Sequence, residues 1–257
     1  MKLSQISIAT LLSLAAVGAF AQAKAPEPDY TLSFNVAGFT DYRFRGITQT
    51  SRKPALQAGA DFAHKSGFYL GAFGSNVRWI KDFNGATKGS VEVDLYGGFK
   101  GSIVEDLGFD VGAITYQYPG NNSGDVGTPG AGLVKNANTT EVYGALTYKM
   151  LTAKYSRSTS NFLGFIDSKG SDYLDVSAAF DLGNGFTLTP HIGKQRVKNN
   201  KPFNYVDYSL TVAKDLGNGL SVSGALIGTD ADKAFYTDVN GKFIGNGTLV
   251  VGLKYSF

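Results

Sequence analysis

The last ten residues of the chain alternate strictly between apolar and small or polar side chains. Leu249, Val251, Leu253, Tyr255 and Phe257 fall on one face of this stretch. A period of two predicts a β-strand whose faces meet different environments. The sequence ends on an aromatic residue, whereas the ends of soluble domains are usually polar and frayed. The stretch therefore favours a membrane-spanning strand over the edge strand of a soluble sandwich.

The other end of the sequence has the features of a secretory signal peptide. Lys2 precedes an apolar run from Ile6 to Phe20, and two Ala-x-Ala sites predict cleavage after Ala21 or Ala23. The run is short for a membrane span of about 20 residues, so an N-terminal anchor is the weaker interpretation. We therefore expect residues 1–23 to be removed and residues 24–257 to form one domain.

The composition limits how an exported chain of this kind could cross a membrane. It contains no cysteine, which excludes a disulfide framework and a lipoprotein anchor. After the leader no apolar run is long enough for a transmembrane helix, while Gly, Tyr and Phe are abundant. Removal of Lys2 lowers the formal net charge from +3 to about +2, which gives no basis for nucleic-acid binding. A closed barrel is then the remaining way to span a bilayer, because unpaired backbone groups are costly in lipid.

Alternating runs of this type recur along the chain and predict an all-β, transmembrane, antiparallel up-and-down β-barrel of about 12 strands. The predicted strands are residues 32–45, 55–63, 68–77, 90–100, 109–118, 139–148, 151–160, 172–181, 186–195, 205–213, 220–229 and 248–257. Ten or fourteen strands stay open, because residues 103–106 and the third long loop, residues 119–138, could hide or absorb a strand. Short turns alternate with long loops, which is typical of outer-membrane barrels with both termini and all turns in the periplasm.

The direction in which each strand faces follows from the cost of burying charge in lipid. In Val91–Leu95 the alternation puts three apolar residues on one face, and Glu92 and Asp94 on the other. A slip of one residue would place both acids in the membrane, at a cost of a few kcal/mol each near the midplane. We therefore assign the acids to the lumen.

The same parity predicts which charged side chains line the lumen and set its selectivity. They are Asp41, Arg43, Arg45, Asp61, Glu92, Asp94, Asp110, Glu141, Lys154, Asp175, His191 and Asp207. Lys254 has the same parity near the periplasmic end. Because acids outnumber bases, we expect a weak preference for cations. Arg43 and Arg45 either form an ion-pair network that holds the first loop or build a basic constriction.

Aromatic residues of the opposite parity are predicted to form girdles at the two membrane interfaces. They are Tyr42, Phe44, Tyr118, Tyr148, Tyr155, Tyr255 and Phe257.

Catalytic and metal-binding residues are scarce. The chain has two histidines, and a lumen-lining role for His191 and an interfacial role for His64 are the simplest interpretations. Without cysteines or a histidine cluster the sequence predicts no metal, no cofactor and no enzyme.

One stretch is more specific than a generic strand. Thr40–Thr50, with Pro54–Gly59, Ser66–Gly71, Glu92–Gly98 and Tyr116–Pro119 behind it, resembles the TorF-type (Gcw-type) porins of proteobacteria. The resemblance runs over essentially the whole mature chain and implies a barrel in the Gram-negative outer membrane with a porin role. The terminal Tyr255 and Phe257 resemble the signal that the barrel-assembly machinery reads.

The function expected first is a channel for passive diffusion of small hydrophilic solutes, embedded in outer-membrane lipid. The alternative is a barrel with a closed lumen that has a structural role or recognises a partner through its long loops. An outer-membrane enzyme is the third interpretation. Barrels of this size lie between filled barrels and wide water channels, so the strand number does not decide between them.

Overall fold

Twelve antiparallel strands form the wall of a closed barrel in the computed structural model, which describes residues 28–257. Each strand pairs with its neighbours in sequence, and the first pairs with the last. The strands are β1 (Tyr30–Phe39), β2 (Ala55–His64), β3 (Phe68–Asn76), β4 (Val91–Val104), β5 (Leu107–Gln117), β6 (Thr139–Tyr148), β7 (Leu151–Ser158), β8 (Asp172–Ala178 and Phe180–Gly183), β9 (Phe186–Arg196), β10 (Tyr205–Gly217), β11 (Leu220–Thr229) and β12 (Thr248–Ser256). The predicted fold class and strand number are confirmed. The predicted signal peptide, residues 1–23, lies outside the described residues.

Tight turns join the strands at one end of the barrel. Asn184–Gly185 and Asn218–Gly219 both have positive φ angles, as two-residue hairpin turns require. At Gly219 a side chain would also place its Cβ 2.0 Å from the carbonyl oxygen of Ser256. The sequence pattern Asn-Gly therefore fixes where these hairpins reverse. β1 begins and β12 ends at this short-turn end.

The outer wall is apolar and the inner face carries the polar residues. In β12, Leu249, Val251, Leu253 and Tyr255 are exposed, while Val250 and Lys254 between them are buried. The alternation in sequence thus becomes an apolar surface toward lipid and a polar lumen, as the parity argument predicted.

Helical structure is sparse in the described part of the chain. There it consists of a short helix at Trp79–Asp82 and a 3-10 turn at Lys201–Phe203. Within residues 28–257 no helix has both the length and the apolar character needed to traverse a membrane.

The first strand is shorter than the sequence predicted. β1 ends at Phe39, and residues 40–54, which we call the plug, turn into the barrel. A small hairpin pairs Arg43–Phe44 with Ile47–Thr48, and its turn is made by Arg45 at φ 47° and Gly46 at φ 79°. The predicted strand over residues 32–45 is therefore wrong beyond Phe39.

The plug brings aromatic residues into the lumen. Tyr42 is buried and Phe44 packs edge-on against Tyr116, with ring centroids 5.3 Å apart. Beside them the helix residue Trp79 packs edge-on against Tyr118, which is 2% exposed. The assignment of Tyr42, Phe44 and Tyr118 to membrane girdles was wrong, because these rings stabilise a packed cluster inside the barrel. Tyr148, Tyr155, Tyr255 and Phe257 do lie exposed on the outer wall.

The third long loop is held by the neighbouring loops at the long-loop end. Its Gly130 N–H donates to the carbonyl of Gly85, and Lys135 donates to Gly164. These contacts fasten it to the loops before β4 and after β7. The first loop, in contrast, contacts the inner face of the wall directly, through Arg45 and Glu141.

Candidate functional site in the barrel lumen

The long-loop half of the lumen is crossed by a buried ion pair between the plug and the wall. The Arg45 guanidinium donates through Nη2 to Glu141 Oε2 at 2.6 Å and through Nη1 to Oε1 at 3.1 Å. It also donates to Gln195 Oε1 at 2.8 Å and lies 4.3 Å from the ring centroid of Tyr173. This bidentate geometry joins the plug to β6 on one side and β9 on the other.

Burial and charge act in opposite directions on Arg45. Desolvation lowers the pKa of the guanidinium, but the Glu141 carboxylate more than offsets it, so the pKa lies above its usual value. The ion pair therefore stabilises the charged form of Arg45.

The second plug arginine is paired within the plug. Arg43 Nε donates to Asp41 Oδ2 at 2.6 Å, and its Nη1 donates to the carbonyls of Gly46 and Asn246. Asp41 also accepts from Thr50. Both arginines thus have carboxylate partners, and the geometry matches the ion-pair network that the sequence left as one of two possibilities.

Two acids of β4 lie under the plug. Glu92 Oε1 accepts from the Tyr42 hydroxyl at 2.5 Å. Asp94 is 5% exposed, and its Oδ1 has no hydrogen-bond partner among the described residues. Such a buried acceptor carries an unsatisfied desolvation cost.

The short-turn half of the lumen carries a belt of three inward tyrosines, Tyr69, Tyr96 and Tyr143, which we call the tyrosine belt. Tyr96 donates to Asp61 at 2.5 Å, and Tyr69 donates to Asp110 at 2.5 Å. Tyr69 and Tyr143 are also hydrogen-bonded to each other. These residues were not among the predicted site residues, although Tyr69 lies between the lipid-facing Phe68 and Leu70 and shares the parity of the acids.

Small residues on neighbouring strands make room for the belt. Tyr96 is paired with Gly71, Tyr69 with Gly98, and Tyr143 with Gly112. A Cβ at any of these glycines would lie within 2.3–2.6 Å of the tyrosine ring or hydroxyl. Each ring therefore lies flat over the adjacent strand because the residue beneath it has no side chain.

Two basic residues contact the tyrosine belt. Lys154 places its Nζ 3.9 Å from the ring centroid of Tyr143. Lys100 lies 5.4 Å from that of Tyr69. Lys100 was missed by the sequence analysis, although it has the parity of Asp94. The tyrosine belt thus contacts both acidic and basic side chains of the lining.

His191 belongs to a polar group on β8, β9 and β10. Its Nε2 lies 2.9 Å from Asp175 Oδ2 and 3.2 Å from the Tyr173 hydroxyl. Its Nδ1 lies 3.7 Å from Asp207, which accepts from Tyr173 at 3.0 Å. The imidazole therefore bridges two carboxylates, an arrangement that orients the ring within the lining.

The structure places all twelve candidate charged residues on the inner side of the wall or in the plug, but in separate groups. Arg43 and Asp41, Arg45 and Glu141, and His191 with Asp175 and Asp207 are brought together. Asp61, Asp110 and Lys154 join the tyrosine belt. Within residues 28–257 no cluster of three or more His, Cys, Asp or Glu side chains could hold a metal ion.

The fold and the lumen define a class: a twelve-stranded transmembrane barrel with an apolar outer wall and a polar, partly plugged interior. Residues 22–257 match the sequence model of the family described as "Bacterial protein of unknown function (Gcw_chp)". The chain belongs to this family, as its resemblance to the Gcw-type porins implied.

Two solved porins have a similar fold. The KdgM porin in complex with disordered oligogalacturonate is similar at a TM-score of 0.54 and 7% identity, over 88% of this chain and 99% of that one. The NanC porin is similar at a TM-score of 0.54 and 10% identity, over 87% of this chain and 98% of that one. At these identities the likeness is one of fold. None of the curated proteins matches the sequence.

Proposed function

We propose that this protein is a passive channel of the Gram-negative outer membrane for small hydrophilic solutes, with a weak preference for cations. The observation that carries the proposal is a lining of half-buried polar side chains inside a barrel whose outer wall is apolar. A barrel that served only as an anchor could fill its interior with apolar side chains. The long loops would lie outside the cell, and both termini and the turns in the periplasm.

The preference for cations follows from the inward charges that are left after pairing. Arg43 and Arg45 are neutralised by Asp41 and Glu141. The remaining inward acids outnumber the remaining inward bases. The acids are Asp61, Glu92, Asp94, Asp110, Asp175 and Asp207, and the bases are Lys100, Lys154, Lys254 and, when protonated, His191. Low-dielectric walls focus such a field inside a narrow passage.

The same charges bear on the type of solute. The KdgM porin was solved with oligogalacturonate, an acidic sugar polymer. An excess of acids along this lining would repel such a polymer. We therefore propose neutral or cationic solutes for this chain.

The plug favours a second candidate function. Its buried ion pairs and aromatic cluster occupy the long-loop half of the lumen. A lumen closed there would suit a structural barrel, or one that recognises a partner through its long loops. We place the channel first because the polar lining below the plug is accessible, which a purely structural interior does not require.

Planar-bilayer recordings of the refolded protein test the proposal. We expect discrete conductance steps and a cation-selective zero-current potential across a KCl gradient. The bias should be largest in dilute salt, because the Debye length is about 10 Å at 0.1 M. The double substitution Asp94→Asn with Asp175→Asn should move the potential toward zero. Absence of any conductance would favour the closed barrel, and anion selectivity at low salt would overturn the charge argument.

The last residues are proposed to direct assembly. Phe257 stacks on Phe34 and Tyr255, with ring centroids 5.8 and 5.5 Å apart, and its backbone pairs with Phe34 at the β1–β12 seam. We expect Phe257→Asp to lower the amount of barrel in outer-membrane fractions sharply, through loss of recognition by the barrel-assembly machinery. Refolding in detergent should persist. Normal membrane levels of the variant would refute this role.

A further inference from the structure

The outer wall carries a basic patch at the long-loop ends of β7, β8 and β9. Its five cationic residues are all exposed, and they are Arg157, Lys169, Lys194, Arg196 and Lys198. The acids close to them are fewer. Asp172 lies between Arg157 and Arg196 in the strand register, and Asp167 lies in the loop above. The patch therefore keeps a net positive charge.

The patch lies where the apolar wall ends. Two residues along the strands toward the membrane centre, a row across β7, β8 and β9 is formed by Tyr155, Leu174 and Lys194. Tyr155 and Leu174 are 43% and 47% exposed, as expected of side chains in lipid and at its interface. Arg157, Asp172 and Arg196 form the next row toward the loops. A headgroup at the membrane surface would meet this row directly.

Within the strands, the outward cations near the long-loop end are confined to this sector, and they are Arg157 on β7 with Lys194 and Arg196 on β9. The other strand ends at this level present uncharged residues outward, such as Leu56, Asn76 and Leu249, and the remaining cations of this end lie in loops, among them Lys53, Arg78 and Lys88. A general attraction to a negative surface would distribute strand cations around the barrel. Their concentration on the two strands beside β8 indicates a localised ligand.

Two of the cationic residues are held by neighbouring residues of the strands and loops. Arg196 donates to Asp172 at 2.9 Å, and the backbone N–H of Lys198 donates to Ser171. A Cβ built on Gly170 would lie 3.4 Å from Arg157 Nη2 and 3.7 Å from Lys198 Nζ. The two cationic groups are therefore within about 7 Å of each other, since both lie within 3.7 Å of one point. Oxygens of one phosphate can reach two donors at this separation.

A shallow groove of about 580 Å³ opens between these cations. Arg157, Lys169 and Lys198 line it together with hydroxyl and amide side chains, which include Thr159 and Asn161. Three cations and several neutral donors surround this depression against one acid, Asp167, and this balance suits an anion with many oxygen acceptors. An apolar acyl chain would find no matching surface there.

We propose that this basic patch binds the phosphate of a lipid headgroup in the outer leaflet. Arg157 and Lys198 hold the phosphate, Lys169 and Lys194 lie within reach on either side, and the Asp172–Arg196 pair supports the row. The acyl chains of the lipid then lie against Leu174 and its apolar neighbours. The inference rests on the proposed membrane placement and is independent of channel activity.

Binding of defined lipids to the purified barrel in detergent tests the proposal. Labelled barrel is titrated with diphosphorylated lipid A, with its dephosphorylated form, and with inorganic phosphate as a competitor. We expect Arg157→Gln with Lys198→Gln to weaken binding of the phosphorylated lipid at least tenfold. The dephosphorylated lipid should bind the unaltered barrel at least tenfold more weakly.

The matched control removes the same charge elsewhere. Lys88→Gln with Lys233→Gln changes two exposed loop cations outside the patch and the plug and should leave the affinity within twofold. The heat-modifiable band of every variant shows whether the barrel is folded, and single-channel conductance should be equal in all of them. Equal lipid affinity of the patch variant and the unaltered barrel would overturn the proposal. Full competition by millimolar inorganic phosphate would assign the patch to a free anion and overturn the lipid assignment.

Discussion

The two halves of the lumen satisfy their charged groups in different ways. In the long-loop half, Arg45 and Glu141 are nearly inaccessible and pair with each other between plug and wall. In the short-turn half, Asp61 and Asp110 accept hydrogen bonds from tyrosines of the wall itself and remain half-buried. The first arrangement needs the plug, whereas the second needs only the barrel. The plug therefore occupies the long-loop half of the lumen, and the tyrosine belt lines the short-turn half.

Removing the plug should have the largest effect. Replacement of residues 41–50 by a Gly-Ser linker of equal length deletes the inward hairpin but none of the wall strands. We expect a several-fold rise in single-channel conductance, because the narrow half would then be as open as the other. The same exchange over Asp125–Leu133 in the third loop serves as the control and should change conductance little. Unchanged conductance after loss of the plug would show that the plug does not limit ion flow through the long-loop half.

Removing a single cation should lower the free energy of unfolding by different amounts in the two halves. Arg45→Ala leaves Glu141 buried without its partner, and loss of one member of a buried pair costs about 3–5 kcal/mol. Lys154→Ala removes a contact with the Tyr143 ring in the open half, where such contacts contribute about 1 kcal/mol. Urea unfolding in micelles measures both free energies. Equal losses would mean that the long-loop half is as hydrated as the short-turn half.

A smaller loss of unfolding free energy is expected when a side chain is added beneath one ring of the tyrosine belt. At Gly112 an added Cβ would lie 2.6 Å from both the Gly97 carbonyl and the Tyr143 hydroxyl, so Gly112→Ala must displace the ring or the strand. Overpacking of this kind costs about 1–3 kcal/mol. Gly224→Ala is the matched control, because its Cβ would meet no atom within 4 Å. Comparable unfolding free energies of the two variants would argue against a packed belt.

The wall could be predicted from the sequence, and the plug could not. Alternation with period two and the cost of acids in lipid determine the direction of the strands that carry acids, so the inward position of Glu92 or Asp207 follows from parity alone. Tyr42 and Phe44 continue the alternation of β1, and only the turn at Arg45–Gly46 departs from it. An arginine at φ 47° carries no turn signal of the Asn-Gly kind.

The partners of the site residues were the other unpredictable part. That Arg45 pairs with Glu141 depends on how deeply the plug enters and on which strands lie opposite each other in the closed barrel. Neither quantity is encoded in local pattern. Tyr69 and Lys100, in contrast, share the parity of the predicted acids and could have been included on that basis.

The contacts of the plug also impose an order of events during folding. Arg45 contacts residues 96 and 150 positions later in the chain, and Arg43 contacts Asn246, 203 positions later. The plug is thus synthesised early, but its contacts with the wall can form only after β6, β9 and β12 have come together, since such long-range contacts form late. Trp79, the single tryptophan of the chain, packs in the same cluster as Tyr42. Its fluorescence therefore reports the seating of the plug, while far-ultraviolet dichroism reports the pairing of strands, and the two signals should separate in time.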